Sequence, residues 1–255
     1  MSKKRKRLIM VKIIIYLVLI NVFISLVLSF IFFSGVFSIK DIQVKNNTKV
    51  DSEIIVTQSQ IKTGENIFLL KDHIVRENLK KVPYIEDISI NKVIPNRIEI
   101  FVKERTPQFV VKSNENYYLI DSEGIILEKI DNVENNTLLV IVLASEIQDE
   151  MVGKSLNEKD LLKIKNVETV LQVADSNGIS DLITKFDLTN EQDIVIEIAS
   201  ESKYAHLGSF DDDTGLNMKF FWLKSMLEQE KGKSGVIYLN VDLTKNKVVF
   251  SEQSF

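Results

Sequence analysis

Ile85-Glu-Asp-Ile88-Ser-Ile90 and Arg97-Ile98-Glu-Ile100-Phe-Val102 flank Val93-Ile94-Pro95-Asn96, and this stretch decides how the first half of the chain folds. Apolar and polar residues alternate in both flanks, so an extended chain there has one apolar and one polar face, as in a half-buried strand. Pro95 and Asn96 suit a turn, one by fixing φ and the other by bonding its own backbone. The stretch predicts two strands joined in a hairpin.

Upstream, Leu70, Ile74, Leu79 and Val82 are spaced for one buried face of a helix over about 71–81. Pro83 stops that helix, because it lacks an N–H and clashes with the preceding turn. Asp51 or Ser52 can cap a shorter helix to about Ser59, and Gly64 ends the connection before Asn66-Ile67-Phe68. Phe37-Ser-Ile39-Lys-Asp-Ile42-Gln-Val44 alternates again and reads as a strand. The order is strand, helix, helix, strand, strand over residues 36–105. Three strands with two helices on one face make a sensible small domain, since each amphipathic helix needs a sheet face to bury against.

Directly ahead of this unit lies Ile13 to Phe33, 21 residues without a charge, behind Lys3-Lys4-Arg5-Lys6-Arg7 and Lys12. As a helix rising about 1.5 Å per residue, the run is long enough to cross a hydrocarbon core of roughly 30 Å. Basic residues resist translocation, so residues 1–12 are expected as a cytoplasmic tail, 13–33 as a transmembrane helix and the rest outside. A cleaved leader would have a shorter apolar region and a small-x-small site, and Phe32-Phe33-Ser34-Gly35-Val36-Phe37 offers none. Asn21, Ser25 and Ser29 recur every fourth residue and form one polar stripe, a candidate interface with a partner helix. Each can also satisfy itself on its own backbone.

Beyond residue 12 the chain holds 26 Lys and Arg against 36 Asp and Glu, ten negative charges net. That balance argues against a nucleic-acid ligand. Cysteine is absent, which removes disulfides, thiolate catalysis and zinc-thiolate sites together.

Thr106-Pro107 marks a domain boundary, because the residue before proline is pushed to an extended conformation. Residues 106–252 then read as a second, β-rich domain. Phe109 to Val111, Tyr118 to Ile120 and Ile125 to Leu127 are short apolar runs between the turn sequences Ser113-Asn-Glu-Asn116 and Asp121-Ser-Glu-Gly124. Leu138 to Leu143 adds another strand. A helix opens at Ser155, with Glu158 reaching back and Leu161, Ile164, Leu171 and Ala174 on its buried side, and Asn177-Gly178 ends it. Strands follow near 182–188, 194–198 and 204–207. A last helix begins within Asp211-Asp-Asp213-Thr214 and buries Leu216, Phe220, Leu223 and Leu227. Gly232 and Gly235 lead into Val236 to Val241 and a final strand, Lys247 to Phe250. The whole is α+β.

Phe37-Ser-Ile39-Lys40, Gly64-Glu-Asn66-Ile67-Phe68, Pro83-Tyr-Ile85, Ile94-Pro95-Asn96-Arg97-Ile98 and Glu104-Arg105-Thr-Pro107, in this order behind one membrane anchor, resemble the POTRA domain of the FtsQ/DivIB cell-division family. Tyr117 to Asp121 with Gly124, then Leu207-Gly208, Lys219 and the glycine-led strand, are similar to that family's second domain. The resemblance implies a single-pass protein of the bacterial cell membrane at the division septum. Its implied partners are FtsL and DivIC/FtsB type proteins and, through them, the septal peptidoglycan synthase. The alternative is another exported POTRA module, a transport or envelope-assembly accessory, expected to carry several such repeats or a barrel.

No catalytic constellation is evident. The chain has two histidines, His73 and His206, and no nucleophile elbow, zinc-protease or phosphate-loop motif. Asp211 to Asp213 do not make a calcium loop, since Gly215 falls where an oxygen ligand is needed. An enzyme, a metal site, a cofactor and a small-molecule substrate are therefore not expected. Binding through sheet edges is the natural role. Tyr238, Val248 and Phe250 are the candidate partner-binding residues, in the region from Gly235 to Phe250.

Overall fold

The computed structural model describes residues 3–33, 35–134, 136–199, 202–209, 213–241 and 248–252. The chain divides into two compact units, Met1–Glu104 and Arg105–Phe255.

The first unit opens with α1 (Lys3–Phe33). Its segment Ile9–Ile31 is long and apolar enough to cross a membrane, spanning about 34 Å at helical rise. Then come β1 (Asp41–Lys45), α2 (Ser52–Ser59), α3 (Asp72–Leu79), β2 (Ile85–Val93) and β3 (Arg97–Glu104). The sheet order is β1-β3-β2. β2 and β3 form the hairpin, with Ile90 opposite Ile100 and Val93 opposite Arg97. β1 lies parallel to β3, with Ile42 beside Ile98, a pairing that needs the two-helix crossover lying between them in the chain. Ile98, Ile100 and Val102 of the central strand are buried together with Ile55 of α2, Val75 and Leu79 of α3, and Ile85 and Ile88 of β2.

Two details differ from expectation. The first strand begins at Asp41 rather than Phe37, because the chain around Ile39 bonds instead to the 65–67 segment: Ile39 N–H donates to Glu65 C=O at 2.8 Å and Ile67 N–H to Phe37 C=O at 2.9 Å. In α3 the buried face is Val75, Asn78 and Leu79, whereas Ile74 is exposed. Adjacent apolar residues cannot share one helical face, and the side four residues from Leu79 is the one that meets the sheet.

Asp51 caps α2 through its carboxylate, which accepts the Glu53 N–H at 2.8 Å. At the far end of the sheet Glu104 accepts three backbone N–H groups, from Thr48 at 3.0 Å, Lys49 at 2.8 Å and Val50 at 2.9 Å. One carboxylate thus fixes the loop between β1 and α2.

The second unit contains β4 (Phe109–Ser113), β5 (Asn116–Ile120), β6 (Ile126–Ile130), β7 (Leu139–Leu143), α4 (Glu158–Ser176), β8 (Ile183–Asp187), β9 (Ile194–Ile198), β10 (Lys203–Gly208), α5 (Asp213–Gln229), β11 (Gly235–Tyr238) and β12 (Val249–Glu252). Among the described residues its strands form one nine-stranded sheet, ordered β12-β11-β10-β9-β8-β7-β4-β5-β6. Most neighbours are antiparallel hairpins. Three of the described pairs are parallel: β4 with β7, whose crossover includes the β5–β6 hairpin, and β7 with β8 and β10 with β11, joined through α4 and α5 respectively. Both helices bury one side in a single core. Ile164, Val167, Val170 and Ala174 of α4 and Leu216, Phe220 and Leu223 of α5 meet Phe186, Ile196, Ala205 and Ile237 of the sheet.

The cap of α4 is Asn157, not Ser155: the Asn157 side chain accepts the Asp160 N–H at 3.0 Å, while Ser155 pairs as a bridge with Ile125. Helix α5 begins at Asp213, and Asp211 and Asp212 lie outside the described residues, as does Lys247 at the start of the expected final strand.

Candidate functional site

The two ends of the long sheet are built differently. At β6 the chain folds a second layer of backbone bonds over the strand: Ile126 N–H donates to Lys154 C=O at 2.9 Å and Gly153 N–H to Ile126 C=O at 2.7 Å. Tyr118, buried in the neighbouring strand, holds the incoming segment: its one hydroxyl proton is shared between Ile147 C=O at 3.0 Å and Asp149 Oδ1 at 2.9 Å. Burial and the Asp149 carboxylate together push the Tyr118 phenol up to about 12. The hydrogen bond from Lys129, followed by that from Tyr118, holds the Asp149 carboxyl below its usual range. These bonds cover the start of β6, at Ile126.

The opposite end is β12. It pairs antiparallel with β11 only, Gly235 facing Glu252, Val236 facing Ser251, Ile237 facing Phe250 and Tyr238 facing Val249. No described residue pairs with its outer side.

The register separates the candidate residues onto two faces. Phe250 lies opposite Ile237, and both Phe250 and Val248 pack against the hydrophobic core. Tyr238 lies on the other face, opposite Val249, which is exposed. The three candidates therefore do not make one patch: Val248 and Phe250 seat the edge strand, and Tyr238 stands outside the core with Val249. Val249 carries no distinguishing chemistry in the sequence. The signal that finds it is period-two alternation once Phe250 is known to face inward.

Tyr238 is itself positioned by its neighbours. Its ring stacks on His206 of β10, with centroids 5.0 Å apart and planes 23° apart. His206 Nδ1 lies 2.6 Å from Asp193 Oδ2. The second Asp193 oxygen accepts from Gly208 N–H at 3.1 Å and from Asn240 Nδ2 at 3.2 Å. Asp193 thus ties together the ends of β9, β10 and β11. Gly208, at φ +76°, makes the bend, and a Cβ there would come within 3.2 Å of the Asn240 side chain. The other histidine, His73, is exposed on α3. Among the described residues no group of three or more His, Cys, Asp or Glu side chains could hold a metal ion.

The stripe Asn21, Ser25 and Ser29 lies on one face of α1 with Leu17, Val18 and Val22. The Asn21 amide donates to Leu17 C=O of its own helix at 2.9 Å.

Comparison with known proteins places the chain. A family model described as POTRA domain, FtsQ-type matches residues 37–105. The cell division protein DivIB of Clostridium botulinum (strain Loch Maree / Type A3) is 33% identical over 218 residues, covering 85% of this chain and 83% of that protein. The DivIB of Clostridium tetani (strain Massachusetts / E88) is 31% identical over 218 residues, covering 84% and 79%. The cell division protein FtsQ of Syntrophotalea carbinolica (strain DSM 2380 / NBRC 103641 / GraBd1) is 26% identical over 219 residues, covering 85% and 74%. The first unit, with its β-α-α-β-β order in the matched residues, and the similarity running through the second unit have one reading: the chain belongs to the FtsQ/DivIB family.

Proposed function

We propose that this protein is a bitopic scaffold of the bacterial cell-division machinery that gathers septal peptidoglycan-synthesis proteins by contact, without chemistry of its own. The relatives named cell division protein support the cell-division part. The basic cluster ahead of an apolar helix supports a cytoplasmic residue 1–12 tail, a membrane segment within 13–33 and extracytoplasmic domains at 36–105 and 106–252.

The observation that carries the binding role is the β12 edge, whose outer side pairs with no described residue, whereas the start of β6 is covered by residues 153–155. Proteins close edges they do not use, because an open strand pairs with whatever meets it. An extended segment from a small bitopic partner of the FtsL or DivIC/FtsB type would add beside β12, taking affinity from backbone bonds and selectivity from Tyr238 and Val249. Phe250 and Val248 would hold the template strand in place.

The test combines localisation with capture. Depletion of the protein should block septation, and a fluorescent fusion should collect at the division site. Val249→Lys, which charges the edge without touching the core, should cut co-purification of the partners severalfold while the fold is kept. Normal septation after depletion would rule out the division role, and full partner capture by both Val249→Lys and Tyr238→Ala would rule out the β12 edge.

A further inference from the structure

The chain leaving α1 is laid against the first unit in a short antiparallel run. Ser38 bridges Asn66, Gly64 N–H donates to Ile39 C=O at 2.8 Å, and Ile67 N–H donates to Phe37 C=O at 2.9 Å. Because the run is antiparallel, each step forward from Gly64 moves closer to the end of α1. Asn66 completes the approach: its amide donates to Ile31 C=O at 2.7 Å, and its side-chain oxygen accepts the Phe68 N–H at 3.0 Å. Ile31 is the last residue of the apolar segment Ile9–Ile31. One side chain thus ties the end of that segment to the 3-10 turn Ile67–Leu69.

This turn shows an unusual division of its side chains. Ile67 is fully buried and fixes the turn, whereas Phe68 is 49% and Leu69 59% exposed. The Phe37 ring lies against Phe68 with centroids 5.2 Å apart. Val36, at 44%, and Ile94 of the β2–β3 turn, at 51%, are exposed too. Lys40 N–H donates to Asn96 C=O at 2.8 Å, which brings the Ile94 turn to the same end of the unit. Four large apolar side chains clustered at one end of a small domain need a covering medium. Their depth identifies it, since the Asn66 bond holds them level with the end of the apolar helix.

We infer that the Phe68–Leu69 turn, with Val36 and Ile94, inserts into the interfacial layer of the bilayer at the C-terminal end of α1, giving the first unit a second hold on lipid. Apolar and aromatic side chains at the acyl-headgroup boundary gain free energy in proportion to the area they bury there. Exposed Lys40 and Lys71, close by in the chain, suit headgroup phosphates. The turn therefore orients the domain on the membrane. This inference rests on α1 spanning a membrane and is independent of the cell-division reading.

The chain has no cysteine, so single spin labels can be introduced in the full-length protein without background. Phe68→Cys, Leu69→Cys, Ile20→Cys and Lys45→Cys would be labelled and reconstituted in vesicles of phosphatidylglycerol and phosphatidylcholine. Position 20 lies within the helix, and 45 is exposed at the opposite end of β1. Labels at 68 and 69 should collide severalfold more with oxygen than with a water-soluble nickel chelate, as at 20, while 45 shows the reverse. A nickel-dominated signal at 68 and 69, with 20 in lipid, would overturn the inference. Shielding from both reagents would overturn it as well, since protein would then cover the turn. A water-exposed label at 20 would remove the spanning helix and the inference with it.

Discussion

Gly235 and Ser251 approach so closely across the β11–β12 pair that a Cβ on Gly235 would overlap the Ser251 carbonyl oxygen and lie 2.8 Å from the Phe250 ring. The glycine is therefore required by space rather than by a turn. Backbone cannot retreat as a flexible side chain can, so any side chain at 235 must push β12 outward.

Gly235→Ala is expected to loosen β12 while leaving the rest of the sheet folded. Overpacking of this kind costs about 1–3 kcal/mol. Hydrogen exchange should show protection lost at residues 249–252 and kept at β9 and β10. If the open edge is the docking template, partner capture should fall together with that protection. Unchanged exchange at 249–252 would mean that the strand tolerates the added methyl, contrary to the geometry.

Tyr118 offers a test, through pH, of how the 147–149 segment is held. Its phenol is raised to about 12 from 10.0, so the folded state holds the proton more tightly than the unfolded state does. The hydroxyl's contribution is then complete below about pH 10 and is lost as pH rises toward 12. Tyr118→Phe leaves the Ile147 carbonyl without this donor and should cost about 1–2 kcal/mol at neutral pH. Denaturant titrations at several alkaline pH values should show wild type and variant converging above pH 10. The Asp149 carboxyl behaves oppositely: its lowered value means a contribution present above its ordinary value of 3.8 and lost on acidification. Parallel curves across the alkaline range would show that the hydroxyl is not held as described.

Glu104 supports the far end of the first unit. Glu104→Ala strands the N–H groups of Thr48, Lys49 and Val50, and the loss is expected at about 2 kcal/mol, with a lower thermal midpoint for the first unit. Glu104→Gln keeps one acceptor oxygen and should recover part of it. Equal midpoints for Ala and wild type would exclude this role. The next residue, Arg105, serves the second unit, pairing with Asp121 at 2.5 Å and Glu123 at 2.7 Å. The Glu-Arg pair read as a family motif is thus two structural clamps, one for each unit.

Local pattern made much of this fold readable. The hairpin of β2 and β3 follows from strict alternation, and Asp51 was one of two evident caps for α2. What failed to show was what depends on pairing at a distance. Val248, Val249 and Phe250 are three apolar residues in a row, so their faces are set only by the pairing that puts Ile237 opposite Phe250 and Tyr238 opposite Val249. Ile74 and Val75 were equally ambiguous, because only the sheet beneath α3 chooses between them. The Ser155 cap was displaced because Ser155 is engaged with Ile125, a bridge between residues thirty apart in the chain. The Asp193, His206 and Tyr238 group joins three strands and leaves no local mark.

The stripe on α1 supplies the last test. Asn21 carries the strongest hydrogen-bonding side chain of the three, and its amide is already committed to Leu17 C=O on the same helix. With one amide N–H already bonded on its own helix, Asn21 is not a stranded polar group that demands a partner helix, although its second N–H and its oxygen stay open to one. Asn21→Leu is therefore expected to leave membrane insertion, septal localisation and partner co-purification unchanged. Ser25→Leu and Ser29→Leu extend the test along the same face. Loss of a partner from Asn21→Leu alone, with insertion intact, would show that the helix recognises other membrane helices rather than only anchoring the chain.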